Sequence, residues 1–143
     1  MKKLAKLIIC SIIIGIIFIF LDILLAIILF PINSAYMDLP IWKNPPNIIA
    51  GMIFDIINGF IVVLIYNLIK ESIPFESWKK GTIYGIIMGL FRVAMMAFTT
   101  IVIYNVPIVL VIANLVSGFI EIIVLGILTV FLSEKLKIGK TKQ

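Results

Sequence analysis

The chain has 143 residues, with 12 basic and seven acidic side chains, no histidine and one cysteine. Hydrophobic residues make up 63% of the sequence, and its mean hydropathy is +1.27. These values exclude an ordinary soluble domain and are typical of an integral membrane protein. Without histidine, and with Cys10 alone, the chain lacks the residues of an internal disulfide or a multi-cysteine metal site. We therefore expect no metal, no cofactor and no enzymatic activity.

Four apolar stretches divide the chain. Each is long enough to cross a hydrocarbon core of about 30 Å as a helix that rises about 1.5 Å per residue. The predicted transmembrane helices occupy residues 7–30, 47–69, 81–104 and 108–132. The sequence therefore predicts an all-α fold, a polytopic four-transmembrane-helix bundle that occupies residues 1–143 as a single domain.

The apolar run after Lys6 looks at first like the hydrophobic region of a signal peptide. Such a region is about 7 to 15 residues long and ends at a small-residue cleavage site. Here the run extends over residues 7–30 and ends at Pro31, and residues 33–35 match a cleavage site poorly. We therefore expect an uncleaved first transmembrane helix.

The connections between the predicted helices are short. The longest, residues 31–46, contains Tyr36 and Trp42, whose amphipathic rings suit the headgroup region of a bilayer. A polar turn over residues 70–80 joins the second and third helices, and a tight turn over residues 104–107 joins the third and fourth. We expect the long connection to lie on the membrane surface.

Lysine side chains mark one side of the predicted bundle. Ten flank the helix ends on that side, and Lys43 alone lies on the other. The ten are Lys2, Lys3, Lys6, Lys70, Lys79, Lys80, Lys135, Lys137, Lys140 and Lys142. This bias predicts a multi-pass protein of the cell inner (plasma) membrane with both termini in the cytoplasm. Lysines at helix ends do not form a basic groove, so we expect no nucleic-acid partner.

The two halves of the sequence resemble each other. Residues 55–61 match residues 114–120 at an offset of 59, with polar, glycine and phenylalanine positions aligned. An offset of 70 between the first and third helices aligns Gly15 with Gly85 and Asp22 with Arg92. The sequence therefore predicts an internal repeat of two parallel two-helix units, related by an axis along the membrane normal.

Each predicted helix carries one ionisable residue inside its apolar stretch: Asp22, Asp55, Arg92 and Glu121. All four lie about 18 to 24 Å from the nearest lysine of the cytoplasmic side, because a helix rises about 1.5 Å per residue. We call them the charged layer. A charge at this depth costs roughly 3 kcal/mol on insertion scales. Such residues therefore face the bundle interior and mark a candidate functional site.

Polar and small residues extend the charged layer along the inner faces of the helices. The predicted site for an ion or substrate combines the charged layer with Asn58, Asn114 and Ser117. Small residues allow two helix backbones to approach closely. Five glycines are therefore predicted positions of helix packing: Gly59, Gly81, Gly85, Gly89 and Gly118.

The third helix, with Gly81, Gly85, Gly89 and Arg92, follows the intramembrane Asp22 and the 36–42 loop. Together these features resemble a group of short bacterial four-helix inner-membrane proteins with no assigned activity. The resemblance covers most of the chain and implies the four-helix fold. Small multidrug transporters and fluoride channels are similar in size, but the sequence patterns of neither are present here.

Two functions are compatible with this pattern. Fully ionised, the three acids and one arginine of the charged layer would carry a net charge of −2. Burial and mutual repulsion favour a bound proton or cation there, as in a small transporter-like or channel-like protein. The alternative is a non-catalytic membrane subunit, or an assembly or scaffold protein, whose polar core only fixes the bundle. In either case we expect a homo-oligomer or a membrane-complex subunit in the lipid bilayer.

Overall fold

The computed structural model of the chain describes residues 3–36, 47–103 and 106–138. Within these ranges every regular element is an α-helix, and the four helices are α1 (Lys3–Ser34), α2 (Ile48–Ile69), α3 (Ser77–Ile103) and α4 (Ile108–Lys135). The predicted all-α class is confirmed. Helices α1, α2 and α4 are long and apolar enough to cross a membrane, which indicates a membrane protein. A membrane span by α3 stays a prediction.

Helix α1 is longer than the sequence predicts, because Pro31 lies inside it instead of ending it. A proline removes one hydrogen bond of the helix, but its fixed φ remains compatible with helical backbone. In the next turn the Ser34 hydroxyl donates to the carbonyl of Pro31 at 3.3 Å. The amide of Tyr36 donates to the carbonyl of Asn33 at 3.1 Å. Helix α1 therefore ends one turn later than predicted.

The other helix bounds lie within about one turn of the predicted ones. Helix α2 follows Asn47, whose side chain accepts a hydrogen bond from the amide of Ala50 at 3.0 Å and so caps the helix. Helix α3 begins at Ser77, so the polar turn before it is shorter than predicted. Some residues used in the sequence predictions lie outside the described ranges: Lys2, Trp42, Lys43, Tyr104, Lys140 and Lys142.

Helices α1 and α2 pack along each other as a hairpin, and their backbones meet at Gly15 and Gly59. A Cβ atom added at Gly15 would lie 2.7 Å from the Cα of Ile56. One added at Gly59 would lie 2.6 Å from the Cα of Gly15 and 2.8 Å from the carbonyl oxygen of Ser11. Backbones this close leave no room for a side chain at either glycine.

Helices α3 and α4 form a second hairpin with the same kind of contact. A Cβ atom at Gly85 would lie 2.6 Å from the Cα of Ile123, and one at Gly126 would lie 2.7 Å from the Cα of Gly85. One turn away, a Cβ at Gly81 would lie 2.5 Å from the Cα of Ile127. We call Gly81, Gly85 and Gly89 the glycine ridge of α3. Gly126, which the sequence analysis did not single out, contacts this ridge from α4.

The contacts of the two hairpins correspond pair by pair. The corresponding positions are Ser11 with Gly81, Gly15 with Gly85, Ile56 with Ile123, and Gly59 with Gly126. The α1 and α3 positions differ by 70, as the sequence predicts, whereas the α2 and α4 positions differ by 67 (126 − 59) instead of 59. The difference arises because Gly126 makes the backbone contact equivalent to that of Gly59, whereas the sequence alignment pairs Gly59 with Gly118.

The hydrophobic core occupies the half of the bundle at the lysine-rich end, where α1 packs against α4. We call this half, residues 3–18, 59–89 and 118–138, the closed half. Its core residues are Cys10, Ile14, Phe18, Val62, Val63, Tyr66, Ile73, Tyr84, Ile122, Leu125, Val130 and Ile138. The remaining described residues form the open half, which contributes no residue to this core cluster.

Polar contacts tie the hairpins together inside the closed half. The hydroxyl of Tyr84 on α3 donates to the carbonyl of Val62 on α2. The rings of Tyr66 and Tyr84 pack with their centroids 5.3 Å apart. A buried tyrosine hydroxyl needs such a partner, because a donor without one loses its hydrogen bond to water. These side-chain contacts link α2 to α3 near the lysine-rich end.

The C-terminal turn after α4 closes this end of the bundle. The amide of Ile138 donates to the carbonyl of Ser133 at 2.9 Å, and the amide of Lys137 donates to the carbonyl of Glu134 at 3.0 Å. Lys137 has a φ of 52°, so the two bonds form a Schellman motif with lysine at the position that usually holds glycine. The carbonyl of Ile138 accepts from Lys70 Nζ at 3.0 Å. Burial lowers the pKa of the Lys70 ammonium group.

Candidate functional site

A cavity of about 630 Å³ occupies the open half, and the charged layer lines it at its inner end. From there its lining extends to Asn33, Ile48 and Val106, near the helix ends that face away from the lysines. Most of its wall is apolar, including Ile19, Ile23, Leu29, Met52, Leu110 and Leu115. The core of the closed half lies beyond the charged layer, so the cavity reaches that layer from one side.

Arg92 of α3 and Glu121 of α4 form an ion pair at the inner end of the cavity. Arg92 Nη1 donates to Glu121 Oε2 at 2.9 Å. Glu121 is only 2% exposed, whereas the Arg92 side chain is 32% exposed and borders the cavity. A charge-assisted hydrogen bond of this length is stronger than a neutral one. The ion pair therefore supplies the counter-charge that the sequence requires for Arg92.

The surroundings of Arg92 hold its guanidinium group in place. A Cβ atom at Gly118 would lie 3.3 Å from Arg92 Cζ, so the missing side chain leaves room for the guanidinium. Arg92 Cζ also lies 5.7 Å from the centre of the Phe18 ring, within the range of a cation–π interaction. Gly118 therefore contacts the ion pair, whereas Gly81 and Gly85 contact the backbone of a neighbouring helix.

Asp22 and Asp55 bring two further carboxyl groups to the same end of the cavity. Asp55 is 8% exposed, and Asp22 is exposed where it lines the cavity. Glu121 lines the same cavity, so three carboxyl groups border it. The structure thus brings together all four residues of the charged layer, one from each helix.

Two buried oxygen atoms of the cavity lining have no hydrogen-bond partner among the described residues. They are Glu121 Oε1 and Asn33 Oδ1. A buried acceptor without a donor costs about 1 to 3 kcal/mol. A proton on Glu121, or a cation or donor group inside the cavity, would remove that cost. Among the described residues, no group of three or more acids and cysteines is arranged to hold a metal ion.

The polar residues predicted beside the charged layer have different surroundings. Asn114 and Ser117 line the cavity, but each bonds to a carbonyl of its own helix. Asn114 Nδ2 donates to Leu110 at 2.8 Å, and Ser117 Oγ donates to Asn114 at 3.1 Å. Asn58 is half-buried and does not border the cavity. Of the three, only Asn114 and Ser117 could contact a molecule bound there.

The remaining ridge glycine, Gly89, faces α4 as Gly81 and Gly85 do. A Cβ atom at Gly89 would lie 2.6 Å from the ring of Phe119. The three ridge glycines therefore lie on one face of α3, and the face leads to Arg92 and its partner Glu121. The close fit of this face positions the ion pair.

Sequence reasoning missed two polar features of the structure. Asn33 follows the expected helix stop at Pro31, yet its Oδ1 is buried at the cavity wall. Thr129 is fully buried in the closed half, and its hydroxyl oxygen lacks a partner among the described residues. The four-residue spacing from Glu121 to Leu125, Thr129 and Ser133 was the available signal, because such residues share one helix face.

No protein family, curated protein or solved structure matches this chain. The resemblance to short bacterial four-helix membrane proteins therefore stays a prediction.

Proposed function

We propose that this chain is a small transporter-like or channel-like membrane protein in which the charged layer binds protons or a cation. One observation carries the proposal. Three carboxyl groups and one guanidinium line the inner end of a large cavity, and the buried Glu121 Oε1 there lacks a partner among the described residues. In a medium of low dielectric constant, this excess of negative charge favours binding of positive charge.

The shape of the bundle favours a transporter over a permanently open channel. The cavity leads to the charged layer from the loop side, and the core of the closed half lies on the other side. A transporter exposes its midplane site to one side of the membrane at a time. A cavity that reaches the charged layer from the loop side corresponds to one such state.

The charged layer is tested by the thermal stability of the purified protein against pH and against alkali and divalent cations. A cation at a hundredfold excess over its Kd adds about 2.7 kcal/mol of stability. Asp55→Asn and Glu121→Gln should each fold and lose this response. Glu71→Gln is the matched control, because Glu71 is exposed outside the helices and should keep the response.

The scaffold alternative is favoured by the well-formed Arg92–Glu121 pair, which joins α3 to α4. In that case the variant carrying both Arg92→Leu and Glu121→Leu should be stable and show no functional change. Absence of any pH or cation response that the carboxyl substitutions remove would overturn the transport proposal and leave the scaffold. A response to cations that the carboxyl substitutions remove overturns the scaffold, because a purely structural ion pair gives a pH response alone.

We also propose that the protein lies in the inner (plasma) membrane with the lysine-rich end in the cytoplasm. The positive-inside rule supports this orientation. Labelling with a membrane-impermeant maleimide in a Cys10→Ala background tests it. Ser34→Cys should react in intact cells, whereas Glu71→Cys should react only after permeabilisation. The reverse pattern would contradict the orientation.

The two hairpins, we propose, are two copies of one ancestral unit. The corresponding glycine contacts at offsets of 70 and 67 support this proposal. At the offset of 67, Ala50 and Gly51 of α2 correspond to Ser117 and Gly118 of α4. If the units are equivalent, Gly59→Ala and Gly126→Ala should lower thermal stability by similar amounts.

A further inference from the structure

We infer that the cavity binds an amphipathic organic cation, with its charged group beside Asp22 and Asp55 and its apolar part against the cavity wall. This inference rests on the proposed function and names the class of cation involved. It draws on three features of the cavity: the arrangement of charge, the volume, and the chemistry of the wall.

The arrangement of charge leaves one place for a positive group. Arg92 is engaged with Glu121 Oε2 at 2.9 Å, so this ion pair is balanced by itself. Asp22 of α1 and Asp55 of α2 then present two further carboxyl groups to the same cavity. Two adjacent carboxylates repel each other, and a single cation between them removes that repulsion. A monovalent cation and one retained proton would make the charged layer neutral.

The volume of the cavity exceeds what an inorganic ion needs. At about 630 Å³ it falls within the range of roughly 300 to 1,000 Å³ that is typical of sites for small organic molecules. Ca²⁺ requires about six to eight oxygen ligands, and Mg²⁺ requires six in octahedral order. The described residues hold no group arranged to bind a metal ion. The site therefore fits a larger cation.

The wall supplies the apolar contact that such a cation needs. Between the charged layer and the helix ends the lining is mainly isoleucine, leucine and methionine, including Ile23, Leu29, Met52 and Leu110. Aliphatic surface of this kind binds hydrocarbon or aromatic groups through dispersion and loss of water. A cation without an apolar body would leave most of this wall uncovered.

Gly51 offers a way to change the cavity without disturbing the packing of the helices. It lines the cavity, and a Cβ atom added there would meet no other atom within 4 Å. Gly51→Leu should therefore occupy part of the cavity, while Gly51→Ala leaves most of it free. Neither substitution alters a carboxyl group.

The test measures binding of radiolabelled tetraphenylphosphonium to the full-length protein in phosphatidylcholine nanodiscs by equilibrium dialysis, with empty nanodiscs subtracted. We expect saturable binding that triphenylphosphine oxide, a neutral molecule with a similar aromatic body, does not displace. Asp22→Asn and Asp55→Asn should each weaken binding at least tenfold, while Glu71→Gln should not. Gly51→Leu should weaken it at least tenfold, and Gly51→Ala by less than threefold.

Protons should compete with the bound cation. The groups that face the site are Asp22 from α1, Asp55 from α2, Arg92 from α3 and Glu121 from α4, and only the three acids gain protons as the pH falls. The affinity for tetraphenylphosphonium should therefore decrease with falling pH. Affinity that is independent of pH would overturn the assignment of the positive group to the two aspartates.

A second arm separates a free cation from a lipid amine. Nanodiscs that contain phosphatidylethanolamine present a primary ammonium group on a lipid, and carboxyl-dependent displacement of tetraphenylphosphonium by that lipid would identify a headgroup as the occupant. The inference is overturned if binding is not saturable, or if Gly51→Leu and both aspartate substitutions leave the affinity for tetraphenylphosphonium unchanged. If stability still responds to inorganic cations or pH through the carboxyls, the proposed function survives that result. If both responses are missing, both proposals fail.

Discussion

The closed and open halves of this bundle are built from the same four helices, yet they pack in different ways. In the closed half, backbones meet at Gly15 and Gly59 and again at Gly85 and Gly126. In the open half, Gly51 meets nothing within 4 Å, and α1 exposes Phe20 and Ile27. Hydrophobicity does not distinguish the halves, because lipid is as apolar as a leucine side chain. Close approach at small residues distinguishes them.

This difference has a functional consequence. Tight contact in the closed half orients α3 and α4 so that Arg92 meets Glu121 across the interface. In the open half, the helices enclose the cavity that borders this pair. The charged layer lies at the boundary between the two halves, and it is held from one side and accessible from the other.

The largest expected effect comes from filling a backbone contact in the closed half. Gly85→Leu should destabilise the protein by more than about 3 kcal/mol, because its Cβ would already lie 2.6 Å from the Cα of Ile123. Ile86→Leu, at the exposed neighbouring position, conserves volume and should change stability by less than about 0.5 kcal/mol. Yield and melting temperature in detergent are the measurements. Equal results for the two variants would show that the close contact at Gly85 does not hold α3 against α4.

The same substitution on one helix should have opposite effects in the two halves. Gly59→Ala places a methyl group against the α1 backbone and should cost about 2 to 3 kcal/mol. Gly51→Ala meets no neighbour and should stabilise α2 by about 0.5 to 1 kcal/mol, because alanine favours helix more than glycine.

Thermal unfolding of both variants, with Gly126→Ala measured beside them, tests this contrast. Gly126→Ala should resemble Gly59→Ala if the hairpins are equivalent. A loss of stability in Gly51→Ala as large as in Gly59→Ala would show that the open half is closed in solution.

A smaller effect is expected at the C-terminal turn of the closed half. Lys137→Gly should stabilise the protein by about 0.5 to 1 kcal/mol, because a φ of 52° is unfavourable for lysine but not for glycine. Lys135→Gly, which also removes one positive charge but lies in the last turn of α4, should destabilise it by up to about 1 kcal/mol. Melting temperatures of the two variants provide the comparison, and a destabilising Lys137→Gly would contradict the role of this turn.

Some features of the fold follow from local sequence alone. The helix class and the approximate bounds of the four helices follow from runs of apolar residues. The common depth of Asp22, Asp55, Arg92 and Glu121 follows from the constant rise of a helix. The predicted end of α1 at Pro31 is wrong. A proline ends a helix only where the following turn lacks other hydrogen bonds, and here Ser34 donates one to the carbonyl of Pro31.

Only the tertiary structure shows which small residues are in contact and which acid forms the ion pair with Arg92. Gly118 and Gly126 are equivalent as letters, but one contacts the guanidinium and the other contacts the α3 backbone. Glu121 pairs with Arg92, whereas Asp22 and Asp55 remain beside the cavity. The physical reason is that hydropathy and periodicity describe one helix at a time, whereas the rotation and axial register of two helices depend on how both surfaces fit together.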